Sequence, residues 1–373
     1  MRPLIIFGLV WVTISFLWPT LRLSACTVFY LKYGGFEILG KNLDWDHEEG
    51  LIYVNKQQST KDALMIDPSQ HGQPARRTSR YGSITFNQHG REMPMGGMNE
   101  QGLVVEALLL GKTRYPGRDH RPTVRGLQWV QYQLDMHRTV EEVIASDAQI
   151  RIRPTKFPGH HYLVADRSGD CATIEFINGE MVYHRGDRLP VRALTNTTYA
   201  KSLHYWHKGR PPLFDTFDSV RRFLRVARKL QDYDPVRPAV DYAFETLAAA
   251  GQAEFTRWSI VYDIQNQCIH FLTRGHRPIR YFDLTTFNFS CATPVKQLDI
   301  QARLVGDVSR RFSNYDYLVN RDLITKIYRN NPYMSDFPAE VLEVMARPPV
   351  DLPCGRDVAD ALPHNDLGSD QAK

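Results

Sequence analysis

Three residues that can do chemistry together stand near the start of the chain: Cys26, Lys41 and Asp44. Amide cleavage needs a nucleophile, a base for its proton, an acid for the leaving amine and donors for the oxyanion. A cysteine at a free N-terminus supplies two of these, because its thiolate attacks and its α-amine, with a pKa of about 8 in model peptides, exchanges the proton. Asp44 would orient the ammonium, and Lys41 or a later arginine would favour the thiolate by charge. The pattern predicts a cysteine amidase centred on Cys26.

The element that must position these residues is a hairpin directly after Cys26. Two apolar, β-prone runs are joined by Gly34 and Gly35, and glycine accepts the positive φ of a tight reversal. The second run ends in residues 41–44, so pairing of the two runs returns the polar groups to the cysteine.

Residues 1–25 are expected to be a signal peptide rather than part of the fold. Arg2 gives a positive start, residues 4–18 are almost wholly apolar, and Leu-Ser-Ala precedes Cys26 as at a cleavage site. Cleavage after Ala25 would make Cys26 the N-terminus of an exported protein, periplasmic or extracellular. Two alternatives stay open: a retained membrane anchor, and lipidation of Cys26, since the same residues fit a bacterial lipoprotein signal.

Composition predicts one globular domain over residues 26–347, followed by a Pro- and Asp-rich tail, residues 348–373, that is expected to be disordered. The chain has 373 residues, 43% of them apolar, and a net charge of +5. The basic residues are dispersed among acids, which argues against nucleic-acid binding. The five cysteines lie in no metal-binding spacing, so a zinc site is not expected, and their pairing is left open.

The coarse pattern indicates antiparallel strand pairs with helices inserted between them, an α+β fold. Residues 161–166 and 171–176 form one predicted hairpin and residues 258–263 and 268–272 another. Helices are predicted from Asp218 or Ser219 onward and over 239–250. Residues 93–98 are predicted as a loop that leads through a turn at 99–102 into a strand.

Several motifs, in order, resemble the choloylglycine hydrolase and penicillin V acylase family of linear-amide hydrolases, in the N-terminal-nucleophile superfamily. Cys-Thr at 26–27 is followed by Gly-Lys-Asn-Leu-Asp-Trp at 40–45, where the family has Gly-Arg-Asn-Leu-Asp-Trp. Asn-Glu-Gln-Gly-Leu at 99–103, the hairpin at 161–176, Leu-Thr-Asn at 194–196 and Arg-Phe-Leu-Arg-Val at 222–226 continue the match.

The resemblance implies an αββα four-layer sandwich with Cys26 as nucleophile and Asp44 beside it. It further implies Asn99 and Asn196 near the oxyanion and Arg222 in the site, although both asparagines also suit ordinary turns. Lys41 replaces the family arginine, giving a point charge in place of a planar fork. Arg221 and Arg225 remain alternatives to Arg222.

The family implies hydrolysis of N-acyl amides such as conjugated bile acids, penicillin V or N-acyl homoserine lactones, with no metal or cofactor. It also implies a homo-oligomer, often a tetramer. The alternative from another class is an exported lipoprotein on a hydrolase-like fold that binds acyl ligands without cleaving them.

Overall fold

The computed structural model describes residues 25–65, 72–155, 158–215, 218–252, 254–332, 334–347 and Cys354. The predicted signal peptide and tail therefore lie outside the described residues, apart from Ala25 and Cys354. The strands are β1 Thr27–Tyr33, β2 Phe36–Asp44, β3 Leu51–Asn55, β4 Thr60–Asp62, β5 Arg76–Thr78, β6 Ser83–Asn87, β7 Pro94–Asn99, β8 Val104–Leu109, β9 Thr123–Val124, β10 Arg151–Ile152, β11 His160–Ala165, β12 Cys171–Ile177, β13 Glu180–Arg185, β14 Ala193–Thr195, β15 Thr256–Asp263, β16 Cys268–Thr273, β17 Arg280–Asp283, β18 Lys296–Asp299, β19 Gly306–Asp307 and β20 Ser313–Asn314. The helices are α1 Gly126–Met136, α2 Val140–Ala145, α3 Tyr199–His207, α4 Ser219–Gln231, α5 Ala239–Ala250, α6 Tyr317–Arg329 and α7 Ala339–Ala346.

Two large sheets form the centre of the molecule. Within the described ranges, sheet I has the strand order β14-β1-β2-β15-β16-β17-β19, and sheet II has the order β13-β12-β11-β8-β7-β6-β3-β18-β20. Helices α4 and α5 pack on sheet I, and α1 packs on β7 and β8 of sheet II. The sheets face each other through aromatic contacts such as Phe86 with Tyr262, whose ring centroids are 6.2 Å apart. The predicted αββα sandwich is confirmed.

The hairpin after Cys26 is also confirmed. Gly34 and Gly35 adopt φ values of 52° and 95°, a conformation that side chains with a Cβ rarely accept. The register pairs Thr27 with Asn42, and the Ala25 N–H donates to the Asp44 carbonyl at 3.3 Å. The turn thus brings the end of β2 back beside Cys26.

The prediction of a loop at residues 93–98 was wrong, because Pro94–Asn99 is the buried strand β7. Its glycines, which suggested a loop, are there for close packing: a Cβ on Gly96 would lie 2.2 Å from the Glu106 carboxyl, and one on Gly97 would lie 2.4 Å from the Ile84 carbonyl. Glycine is the residue that permits such close approach in a strand.

The helices predicted from residue 219 and over 239–250 are confirmed as α4 and α5, whereas α1 was not predicted. Helix α1 is buried on nearly all sides, so its sequence lacks the apolar stripe of an amphipathic helix. Its polar positions are satisfied internally, as when Gln131 Nε2 donates to Asp135 Oδ1 at 2.9 Å.

One disulfide joins Cys291 to Cys354, while Cys26, Cys171 and Cys268 are free thiols. Among the described residues, no helix has the length and apolar character needed to cross a membrane.

Candidate active site

Cys26 lies immediately before β1, and only 1% of its surface is exposed. Its carbonyl oxygen accepts a hydrogen bond of 2.5 Å from Arg222 Nη1, and the same nitrogen donates to Thr27 Oγ1 at 2.6 Å. The backbone that bears the thiol is therefore held by a fully buried guanidinium.

Helix α4 determines which arginine reaches the site. Arg222 is completely buried, whereas the Arg221 and Arg225 side chains are 47% and 41% exposed and form ion pairs with Asp218. The start of the helix is fixed to β14 because Thr195 Oγ1 donates to the Ser219 carbonyl at 2.9 Å. Of the three arginines left open by the sequence, Arg222 is the one beside Cys26.

Asp44 ends β2 with a buried carboxyl group. Thr256 Oγ1 donates to Asp44 Oδ1 at 2.6 Å. Burial raises the pKa of Asp44 to about 6, although the Arg222 charge, the Thr256 hydrogen bond and the Lys41 charge each lower it. This pKa of Asp44 applies to the unprocessed protein, in which the Cys26 nitrogen is part of a peptide bond. An ammonium at that nitrogen would favour the carboxylate.

Asn196 joins the site to the neighbouring sheet. Its Oδ1 accepts from Arg222 Nη2 at 3.1 Å, and its Nδ2 donates to the Leu109 carbonyl at 2.9 Å. The side chain is partly exposed. Because Nδ2 bears two hydrogens, one is left for an oxyanion after the bond to Leu109.

Asn99, in contrast, has contacts typical of a turn. Its Nδ2 donates to the carbonyls of Leu134 at 3.0 Å and His137 at 2.7 Å, while its Oδ1 accepts from the backbone N–H groups of Gln101 and Leu103. Both amide hydrogens are thus engaged, and none remains for an oxyanion. These contacts do not support the predicted oxyanion role of Asn99; they tie the β7–β8 turn to α1.

Lys41 lies in a buried polar network between the two sheets. Its Nζ is 3.0 Å from Glu106 Oε2 and donates to the Ala107 carbonyl at 2.6 Å. Tyr262 donates to Glu106 Oε1 at 2.5 Å. Burial raises the pKa of Glu106, while the Lys41 charge lowers it. Glu106 is therefore the counter-ion of Lys41, and its negative charge opposes the predicted support of the Cys26 thiolate by Lys41.

The other free thiols are poor nucleophiles. Burial raises the pKa of Cys171, and burial likewise raises the pKa of Cys268 to about 12. A thiol reacts as its thiolate, so neither is reactive near neutral pH. Within the described ranges, no group of three His, Cys, Asp or Glu side chains is placed to hold a metal ion.

Sequence reasoning missed two of the site's polar contacts, Thr256 and Glu106. Thr256 follows Asp44 by 212 positions, and no local pattern marks it. Glu106 did carry a signal, since it is the one charged residue in the apolar strand Val-Val-Glu-Ala-Leu-Leu. A lone charge in such a strand indicates a buried partner.

Known proteins resemble this chain in both sequence and fold. The sequence model of the linear amide C-N hydrolases, choloylglycine hydrolase family, matches residues 26–227. A penicillin V acylase from Pectobacterium atrosepticum is 30% identical over 238 residues, which cover 57% of this chain and 61% of that protein.

Two solved structures share the fold. The penicillin V acylase from Agrobacterium tumefaciens has a TM-score of 0.64 and 23% identity, over 78% of this chain and 98% of that one. A mutant of the conjugated bile acid hydrolase from Clostridium perfringens has a TM-score of 0.59 and 15% identity, over 73% and 96%. The family match covers more than half of the chain and begins at Cys26, whose carbonyl is bound by the buried Arg222. The chain therefore belongs to the choloylglycine hydrolase family of linear amide C-N hydrolases.

Proposed function

We propose that this protein hydrolyses linear N-acyl amides through a thioester on Cys26, after removal of residues 1–25. The observation that supports this most directly is the contact of Arg222 with both the Cys26 carbonyl and Asn196. Arg222 thereby links the Cys26 backbone to an amide group that can donate to an oxyanion, and a single cleavage before Cys26 would make this cysteine the N-terminus. Family membership supports the bond type, and the penicillin V acylase relative supports an N-acyl substrate.

In the proposed mechanism the Cys26 α-amine takes the thiol proton, and the sulfur attacks the amide carbonyl carbon. The developing oxyanion accepts a hydrogen bond from the free Asn196 Nδ2 hydrogen. The ammonium then protonates the leaving nitrogen, the C–N bond breaks, and a thioester and a free amine result. Water, deprotonated by the α-amine, attacks the thioester, releases the carboxylic acid and restores the thiol.

Arg222 holds the Cys26 backbone in place while the sulfur forms the thioester and is released from it. Because its Nη1 binds the carbonyl of the nucleophile itself, it acts as a positioning residue rather than as an acid. Asp44 is proposed to orient the ammonium, since the Ala25 N–H donates to the Asp44 carbonyl and the Cys26 nitrogen is one residue away.

We also propose that the protein is exported. The Cys291–Cys354 disulfide supports this, because such bonds persist in oxidising compartments. Conjugated bile acids, penicillin V and N-acyl homoserine lactones are the candidate substrates.

Intact-mass analysis tests this proposal. The mature protein should begin at an unmodified Cys26, and a stopped reaction with an N-acyl amide should add the acyl mass to it. Cys26→Ser should lower turnover by orders of magnitude while binding survives, because a hydroxyl is far less acidic than a thiol. Cys26→Ala should bind and never become acylated, whereas Cys268→Ala, which removes a second free thiol, should keep the adduct.

Two outcomes would overturn the proposal. Turnover by a chain that retains residues 1–25 would exclude the α-amine as the base. A lipidated Cys26 that binds N-acyl amides without an adduct or turnover would instead support an acyl-binding lipoprotein.

A further inference from the structure

The loop between α3 and α4 carries two adjacent apolar side chains that the fold leaves in solvent. Leu213 is 92% exposed and Phe214 is 91% exposed, and no other large apolar side chain among the described residues exceeds nine-tenths exposure. Single exposed apolar residues scattered over a surface are normal. Two neighbours that are both almost fully exposed gain nothing from folding, because apolar surface is stabilised only where it leaves water. This pair therefore offers apolar surface that only an external partner can bury.

The chain that presents the pair is stiff and anchored. Pro211 and Pro212 come directly before it, and proline fixes φ near −65° and has no N–H. On the other side, the Asp215 carboxylate accepts from the backbone N–H groups of Val220 at 3.1 Å and Arg221 at 2.8 Å. The loop is thus fixed to the first turn of α4. The two prolines also remove two N–H donors that would lose their water in an apolar medium.

Basic residues are concentrated around this pair, contrary to the dispersed pattern expected from composition. Residues 199–231, which span α3, the loop and α4, contain eight Lys or Arg and two Asp. Their net charge is +6, whereas that of the whole chain is +5, so all the other residues together sum to −1. The positive charge of this protein therefore resides in the segment that carries the exposed pair.

Helix α3 turns its basic side chains outward. Lys201, His204 and Lys208 are exposed, whereas Ser202 is buried. Residues three or four positions apart lie on the same face of a helix, so the three exposed residues form one stripe. Arg210, which is also exposed, continues this stripe into the loop and stands three residues before the apolar pair.

The two aspartates of the segment are engaged by α4. Asp215 binds the first turn of that helix, and Asp218 pairs with Arg221 at 3.7 Å and with Arg225 at 2.6 Å. These acids therefore offset the helix N-terminus and two arginines of α4, and they do not offset the cations of α3 and the loop.

We propose that this surface docks on an anionic phospholipid bilayer. The surface is here named the loop face and is formed by Lys201, Lys208, Arg210, Leu213 and Phe214. The apolar pair would enter the boundary between headgroups and acyl chains, where such side chains leave water. The three cations would lie among the lipid phosphates, and each would strengthen binding about fivefold.

The combination of an apolar tip with a basic surround favours lipid over the other partners of a basic surface. Nucleic acid binds such a surface through its phosphates, and that contact leaves the apolar pair in water. A second copy of this chain would bring an equally basic surface against the loop face, and like charges repel. An anionic bilayer takes up both features at once.

Docking would bring the proposed active site close to its substrate. Helix α3 begins three residues after Asn196, and α4 carries Arg222, which contacts both Asn196 and Cys26. An N-acyl amide with a long acyl chain partitions into membranes because its methylene groups leave water. An enzyme held at that surface would meet more substrate than one in bulk solution, although the docking itself does not depend on amidase activity.

Vesicle flotation of the chain that begins at Cys26 tests the proposal. The vesicles are phosphatidylcholine alone, or phosphatidylcholine with about one-third phosphatidylglycerol. Binding should be about 10-fold or more stronger to the anionic vesicles. It should weaken as the salt concentration rises from about 0.05 M to about 0.5 M, because salt screens the attraction between exposed charges. Every variant has the same N-terminus, so differences between variants arise from the loop face alone.

Leu213→Ser with Phe214→Ser should weaken binding to anionic vesicles about 100-fold, since each substitution removes an apolar side chain that lipid would bury. Val305→Ser is the matched control, because it removes a 71% exposed apolar side chain elsewhere, and it should leave binding within about twofold. Lys208→Gln with Arg210→Gln should weaken binding about 25-fold, whereas Lys208→Arg with Arg210→Lys should retain it. The melting temperature of each variant should stay within about 2 °C of wild type, because all the positions are exposed.

Three results would overturn the proposal. The first is equal binding to neutral and anionic vesicles, and the second is unchanged binding by the variant without Leu213 and Phe214. The third is a dimer in sedimentation that this variant dissociates while the wild-type chain binds no vesicles, because the loop face would then be an interface between two copies. Since none of these measurements involves turnover, their outcome is separate from that of the amidase proposal.

Discussion

Replacing Asp44 with asparagine should raise the stability of the unprocessed chain and lower the turnover of the processed one. Burial raises the pKa of this carboxyl from 3.8 to about 6 when the Cys26 nitrogen lies in a peptide bond. Each pKa unit corresponds to about 1.4 kcal/mol, so ionised Asp44 costs the unprocessed fold about 3 kcal/mol. An amide of the same shape avoids that cost and can still accept the Thr256 hydrogen bond. Asp44→Asn should therefore stabilise the unprocessed chain at pH 8 by up to about 3 kcal/mol.

The pH dependence has a definite sign. A carboxyl whose pKa is raised by folding contributes its full stabilising free energy at pH values below its unfolded pKa. That contribution to stability is lost as the pH rises through the folded pKa. The stabilising difference between Asp44→Asn and wild type should be near zero at pH 3.5 and grow through the window from about pH 4 to pH 6. Processing should shrink the difference, because a new ammonium at Cys26 lowers the pKa of Asp44.

The assay is urea unfolding of two forms, one with a polar tag ahead of Ala25 and one that begins at Cys26, each at pH 3.5 and pH 8. Asp46→Asn, at an exposed position two residues away, is the control and should change stability by less than about 0.5 kcal/mol. In the form that begins at Cys26, Asp44→Asn should also lower turnover. A difference that is equal at both pH values, or a loss of stability at pH 8, would refute the reasoning.

Two further predictions concern the cations of the site. Lys41→Met should cost about 3–5 kcal/mol of stability by leaving Glu106 buried without its partner, and adding Glu106→Gln should restore most of that loss. If the Lys41 charge favours the thiolate, alkylation of Cys26 at pH 7 should still be slower in the stable double variant than in wild type. An unchanged alkylation rate would show that Lys41 does not support the thiolate. Arg222→Lys should lower kcat about 100-fold or more, because an ammonium cannot bind the Cys26 carbonyl and Asn196 together as the planar guanidinium does. The control Arg221→Lys, at an exposed position, should leave kcat within about twofold of wild type. Similar losses of kcat in both variants would argue against a specific role for Arg222.

Features encoded by neighbouring residues were predicted well. The Gly34–Gly35 turn and the periodic apolar face of helix α4 depend on local conformational preference. These preferences act over a few residues and are visible in any window of the sequence. The family motifs then supplied the order of the layers, and the structure agrees with it.

The sequence alone predicted that Cys26, Asp44 and an arginine of helix α4 belong to one site. Only the tertiary structure decided that this arginine is Arg222, because its buried acceptors, Cys26 and Thr27, lie 196 and 195 residues earlier. Tertiary contacts likewise gave Lys41 its counter-ion on the opposite sheet and engaged both amide hydrogens of Asn99. A buried polar side chain is defined by the partners that replace its water. When those partners come from distant strands, no local pattern can identify them.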